Sequence, residues 1–181
     1  MAKSEHVTCG EGATGPQCVL IRKRLYMSNS ARRSVAYETL NDFVEDAERL
    51  AAGKYKTVGG WTFGQIMDHL ATAITGSIDG FSFKGSWMAR TFIAPFVKNS
   101  LLTKPMKPGF KLPKSADSYL PPNDATTADS LAKVKAAVER LGAESPTVDH
   151  PFLGRLATEE WMALHIRHAE LHMSFVVEDK A

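Results

Sequence analysis

Glu160-Trp161-Met162-Ala163-Leu164-His165-Ile166-Arg167-His168-Ala169-Glu170-Leu171-His172 holds three of the chain's six histidines in its last eight residues. The stretch contains no glycine or proline, follows Thr158 as a candidate cap, and has Glu159 and Glu160 in what would be an acidic first turn, so it reads as a helix. On a helix His168 and His172 are i and i+4 neighbours. Their imidazoles leave one face a turn apart and can converge on one cation. Neutral imidazole is a common ligand for Zn, Ni, Fe and Cu, but two histidines do not complete a site, so a third donor has to come from elsewhere.

His69 is the donor that the rest of the chain offers. It lies in Trp61-Thr62-Phe63-Gly64-Gln65-Ile66-Met67-Asp68-His69-Leu70, where Thr62 and Gln65 have the spacing of a capping box that opens a helix. Phe63, Ile66, Leu70, Ala73 and Ile74 recur at helical spacing, which sets His69 in or beside the inward stripe. Two helices thus predict a three-histidine site for a divalent ion, Zn, Ni or Fe. His165, a turn before His168 on the same face, is a candidate proton shuttle or alternative ligand, but reads first as a polar rim residue hydrogen-bonded to backbone or water. Without a metal, the same four histidines would be separate core or rim residues satisfied by backbone or water. Asp68, Asp79 and Glu170 are candidate acceptors behind the ligands, although helical spacing turns Asp68 and Glu170 away from the histidines.

Outward from these two stretches, the same reading divides the rest of the chain. Thr39 caps a first helix over residues 40–52 with Leu40, Phe43, Val44, Ala47 and Leu50 on its apolar face, and Gly53 ends it. The second helix runs from Phe63 to about Ile78, closed by Asp79-Gly80. A third spans residues 86–102, with Trp87, Met88, Phe92, Ile93, Phe96, Val97, Leu101 and Leu102 as its apolar face and Pro95 kinking or interrupting it near the middle. Residues 103–126 hold five prolines and no period, the mark of a functional or mobile loop. A fourth helix covers residues 127–141, with Gly142 as its stop, and His150-Pro151-Phe152-Leu153-Gly154 makes a turn before the last helix. No strand signal is strong; only Val35-Ala36-Tyr37 reads as extended. The fold class is all-α, most economically a four-helix bundle with one additional short helix.

The 181 residues are enough for one domain with its own core, and 44% hydrophobic, 23% charged residues and a net charge of +2 are ordinary for a globular protein. Such a charge argues against a nucleic-acid partner held by bulk attraction. No apolar run approaches the roughly 20 residues of a spanning helix, and Cys18-Val19-Leu20-Ile21 is too short for a signal-peptide core, so the expectation is a cytoplasmic protein with no membrane partner. Cys9 and Cys18 have no metal-binding spacing and read as free thiols. Residues 1–30 lack periodicity and read as a disordered or extended segment outside the folded domain of residues 31–181, with Met27 a candidate alternative start. There is no phosphate-binding loop and no nucleophile elbow. Between Asp79 and Asp117 lie seven lysines and arginines and no acidic residue, which reads either as a solvated, lysine-rich loop with no ligand or as a region that draws an anionic small molecule.

Five stretches together resemble the DinB-like superfamily, in particular a bacterial branch of it: Trp61 to Ala71, Ser77-Ile78-Asp79-Gly80-Phe81, Met106-Lys107-Pro108-Gly109, His150 to Gly154, and Glu160 to His172. The resemblance covers most of residues 33–176. It implies an up-down-down-up four-helix bundle whose divalent metal is held by one histidine of the second helix and two of the last, here His69, His168 and His172. The superfamily's characterised members include thiol-dependent transferases and isomerases that use small thiols, while many members have no known activity. With a three-histidine site open at a fourth position, the expectation is a metal-dependent transferase or hydrolase acting on a small molecule, with an anionic thiol among the candidate substrates. The alternative is a non-catalytic bundle with a structural metal or a small-ligand or protein-binding role. Related bundles often pair, and exposed apolar surface on Trp87, Phe92 or Phe96 would support a homodimer.

Overall fold

A computed structural model describes residues 32–110 and 114–179; both cysteines and the expected extension over residues 1–30 lie outside them. The described residues are mostly helical, with one two-stranded ribbon. Helix α1, Leu40–Ala52, begins where the Thr39 hydroxyl accepts the Asp42 N–H at 3.2 Å and the Asp42 carboxylate accepts the Thr39 N–H at 2.9 Å. This reciprocal box satisfies two amides that the first turn leaves without helical partners. Leu40, Phe43, Ala47 and Leu50 then bury one face.

The chain next forms β1, Tyr55–Thr57, which pairs antiparallel with β2, Val176–Glu178, in the register Tyr55 to Glu178, Lys56 to Val177 and Thr57 to Val176. Neither strand was expected. Three residues are too few to show a period of two, and the pairing joins distant parts of the chain.

Helix α2, Phe63–Asp79, opens with the expected box between Thr62 and Gln65 and closes at Gly80, whose φ of +100° favours glycine. It is the most enclosed helix: twelve of its seventeen residues are buried, including Gln65, Asp68 and His69. At Gly64 the backbone of α2 lies so close to the chain before α4 that an added Cβ would stand 2.3 Å from the Ala125 carbonyl oxygen.

The third helical segment is interrupted near its middle, where Pro95 was expected to kink or interrupt it. A π-turn, Ala89–Ile93, precedes the proline, and α3 proper is Ala94–Thr103 with Pro95 in its first turn. There the missing N–H is tolerated, and the wider turn removes the clash with the preceding carbonyl. Its apolar residues divide between the interior and the surface. Ala94 is buried, and Leu101 and Leu102 are half-buried against a small second core of Leu153, Leu156, Trp161 and Leu164. Trp87, Met88, Phe92, Ile93, Phe96 and Val97 are exposed.

Within the expected loop of residues 103–126, Lys114–Tyr119 forms a 3-10 helix. Helix α4, Thr127–Ala143, runs through Gly142, which was expected to end it. A glycine stops a helix when it turns left-handed, and only Gly80, Gly109 and Gly154 have positive φ among the described glycines. The helix is capped instead at Glu144, whose carboxylate accepts a hydrogen bond from Arg140 at 2.7 Å. Helix α5, Thr158–Met173, has Ala157 rather than Thr158 as its cap residue, because the Glu160 carboxylate accepts the Ala157 N–H at 2.9 Å.

Helix α2 packs on α4 and α5, and α1 packs on the same two. Phe43, Leu50, Phe63, Ile66, Met67, Leu70, Val134, Met173 and Val176 fill the space between them. No described helix is long and apolar enough to cross a membrane.

Candidate metal centre

Two turns into α2, His69 is buried and faces the last two turns of α5. His168 and His172, half-buried, meet it there. The Nε2 atoms of His69 and His168 are 3.2 Å apart, and the ring centroids lie 5.0 Å apart for His69 and His168, 4.8 Å for His69 and His172, and 4.7 Å for His168 and His172. One nitrogen from each ring lies within 4.8 Å of the other two. Three points so spaced share a centre no more than about 2.8 Å from each (4.8 Å divided by √3), against roughly 2.0–2.1 Å for a Zn–N bond. The Nε2 pair already has nearly the roughly 3.3 Å edge of a tetrahedron with such bonds. Three ring nitrogens so spaced could hold one divalent ion between them.

The tautomer of His69 follows from its other nitrogen. Nδ1 lies 3.0 Å from the Tyr119 carbonyl oxygen, which can only accept, so Nδ1 carries the proton and Nε2 keeps its lone pair toward the other two rings. The 3-10 helix brings that carbonyl into position. On the far side Trp61 stacks on His172, with centroids 5.5 Å apart and planes 11° apart, and also contacts His69 at 5.0 Å. Sequence reasoning missed both residues. The Tyr119 contribution is a backbone atom with no side-chain signature, and Trp61 stands just before a helix cap, where no spacing links it to the histidines.

Electrostatics keep the rings neutral. Burial lowers the pKa of His69, partly opposed by the hydrogen bond to Tyr119 and the charge of Asp68. Burial, then the neighbouring His172 and His69, holds His168 well below its ordinary value, and burial with His69 takes His172 down to about 3. Imidazoles kept unprotonated at neutral pH have the form that a metal requires.

His165 is absent from this cluster. The rim position expected for it is not what the chain adopts: it is buried, stacked on Trp161 at 5.4 Å, with Nε2 3.0 Å from the Ser77 hydroxyl oxygen. That hydroxyl donates to the Ile74 carbonyl at 2.6 Å, so Nε2–H of His165 is the donor between them. Burial, with a smaller effect of His150, lowers its pKa to about 3. The ring holds α5 against α2.

His150 secures its own turn. Its Nδ1 accepts the N–H groups of Phe152 at 3.1 Å and Leu153 at 3.0 Å, and burial, then Arg90, lowers its pKa to about 4. The carboxylates are also engaged elsewhere: Asp68 with Lys133 at 2.5 Å, Asp79 with Arg140 at 2.6 Å, and Glu170 with the Tyr37 N–H at 2.9 Å and Arg167 at 2.8 Å. Among the described residues, no carboxylate or thiol joins the three converging histidines.

A family profile described as a protein of unknown function (DUF1569) matches residues 29–179. No curated protein and no solved structure matches the chain.

Proposed function

The chain belongs to the DUF1569 family of proteins of unknown function, and from its own geometry we propose that it binds one divalent transition-metal ion, Zn, Ni or Fe, through His69, His168 and His172. The observation that carries this reading is the convergence of three neutral imidazoles from two helices, with the His69 proton held on the far nitrogen by Tyr119. A second-sphere carbonyl in that role is typical of metal-bound histidine.

Three neutral ligands leave the ion's double charge uncompensated. A metal so held polarises a bound water or stabilises a bound thiolate, the chemistry of a hydrolase or a thiol-dependent transferase. The protein's part is then to orient the three rings and limit access by solvent: Tyr119 fixes the tautomer, Trp61 holds the plane of His172, and His165 ties the two helices together behind the site. A small anionic substrate, such as a carboxylate-bearing thiol, suits both the charge of the ion and the run of cations between residues 79 and 117.

Kinship with the DinB-like bundles belongs to the same proposal. The four longest helices, α1, α2, α4 and α5, contact one another in a closed ring, α1 to α4 to α2 to α5 and back to α1, while α3 lies outside it against α5. That pattern supports a four-helix bundle with one additional helix.

The test is metal analysis after equilibration with Zn, Ni and Fe salts. One ion per chain is expected, lost in His69→Ala, His168→Ala and His172→Ala. Substituting Co(II) and adding azide or a small thiol should then shift the visible spectrum through an open coordination position. A spectrum indifferent to both would favour a structural metal, and binding that survives His168→Ala would end the metal proposal.

A further inference from the structure

We propose that the outward face of the helical segment at residues 87–103 docks the protein on an anionic phospholipid surface. The segment is amphipathic in reverse. Its buried anchor is Ala94, helped by the half-buried Leu101 and Leu102, while Trp87 is 70% exposed, Met88 56%, Phe92 61%, Ile93 58%, Phe96 85% and Val97 38%. Folding alone would place tryptophan and phenylalanine inside and leave small residues outside. A contiguous patch of this kind marks an interaction surface.

Charge identifies the occupant. From residue 80 to residue 116 the chain has seven lysines and arginines and no aspartate or glutamate. Arg90 and Lys98 are paired with Asp149 at 2.6 Å and Glu160 at 2.7 Å. Lys84, just before Trp87, and Lys104, at the C-terminal cap of α3, are exposed and carry no ion pair among the described residues; Lys107 and Lys114 share that state. Exposed aromatic and aliphatic side chains flanked by lysines are the composition of a helix lying in the headgroup region, where rings enter the acyl boundary and lysine stems reach the phosphates. A second copy of the chain is the poorer fit, because a two-fold contact would set two cationic segments against each other. The sequence expectation of no membrane partner rested on apolar run length. That criterion concerns spanning, whereas a helix in the interface needs only one face.

The proposal is independent of the metal site and can be tested without it. Full-length protein is co-sedimented with phosphatidylcholine vesicles with and without phosphatidylserine, at low and high salt. Binding should require phosphatidylserine and weaken as salt screens it. Phe96→Ser with Trp87→Ser should reduce binding at least about tenfold, and Lys84→Glu or Lys104→Glu about fivefold or more each. Far-ultraviolet circular dichroism and metal content identical to wild type would show that the variants remain folded. Wild-type protein left in the supernatant at low salt would overturn the proposal, as would equal binding to vesicles without phosphatidylserine. A stable dimer in solution that Phe96→Ser converts to monomer would assign the face to a second copy and overturn it as well.

Discussion

The same substitution, glycine to alanine, should have opposite effects at Gly64 and Gly142. At Gly64 the new Cβ would stand 2.3 Å from the Ala125 carbonyl oxygen and 2.7 Å from the Thr126 carbonyl carbon. Both are backbone atoms, so no side chain can swing aside, and α2 must retreat from the start of α4 by about 1 Å to regain an ordinary contact. Overpacking of that kind costs about 1–3 kcal/mol, here toward the upper end because both atoms met are backbone, and the better helix propensity of alanine offsets at most about 1 kcal/mol of it. At Gly142 nothing lies within 4 Å of the added atom and the residue is helical, so Gly142→Ala should gain about 0.5–1 kcal/mol. With roughly 2–4 °C per kcal/mol for a chain of this length, Gly64→Ala should melt several degrees lower than wild type and Gly142→Ala one to a few degrees higher. Thermal and urea denaturation read both. An unchanged Gly64→Ala would refute the close approach of α2 and α4, and a destabilised Gly142→Ala would refute the continuation of α4 through that position.

Other expectations concern charge, the ring behind the site and the stacked tryptophan. His165→Ala should cost on the order of 2 kcal/mol by removing the buried donor to Ser77, yet leave metal stoichiometry intact; loss of metal as large as in His168→Ala would make His165 a ligand. Burial pushes the Asp46 carboxyl up, but hydrogen bonds from Arg33, Tyr37 and Arg49 outweigh it and lower its pKa. Its folded value is therefore below its unfolded one, and the stabilisation is present above about pH 4 and lost as pH falls through the folded value. Asp46→Asn should flatten that acid limb in urea midpoints measured against pH, and an unchanged limb would remove Asp46 as its source. Adding Zn should change tryptophan emission through the Trp61–His172 stack, and Trp61→Phe should abolish the signal while metal analysis still finds the ion. Emission that still responds in Trp61→Phe would assign the signal to another tryptophan.

Local signals were legible in the sequence and distant ones were not. The capping boxes at Thr39 and Thr62 involve residues three apart, so the starts of α1 and α2 could be read directly. The His168–His172 pair was legible for the same reason, and His69 could be set toward the interior because its neighbours repeat at helical spacing. The β1–β2 ribbon depends on partners at opposite ends of the domain. Gly142 misled because a backbone angle, not residue type, decides whether glycine ends a helix. The Trp87-to-Val97 face was legible as an apolar stripe because its residues repeat within one helical segment, and Trp87, Phe92 and Phe96 are exposed as a homodimer through them would require.

The ribbon bears on the lifetime of whatever occupies the three histidines. His172 precedes the last residue of α5, where a helix would ordinarily fray and open many times a second or faster. Here the chain beyond that end is tied down at once: the Val58 N–H donates to the Phe175 carbonyl at 2.9 Å, Arg33 donates to the Val176 carbonyl at 2.8 Å, and β2 pairs with β1. Unwinding the final turn therefore means breaking tertiary contacts as well as helical ones. Amide protons at the end of α5 should exchange as slowly as those at its centre, and a bound ion should not leave by fraying of that end.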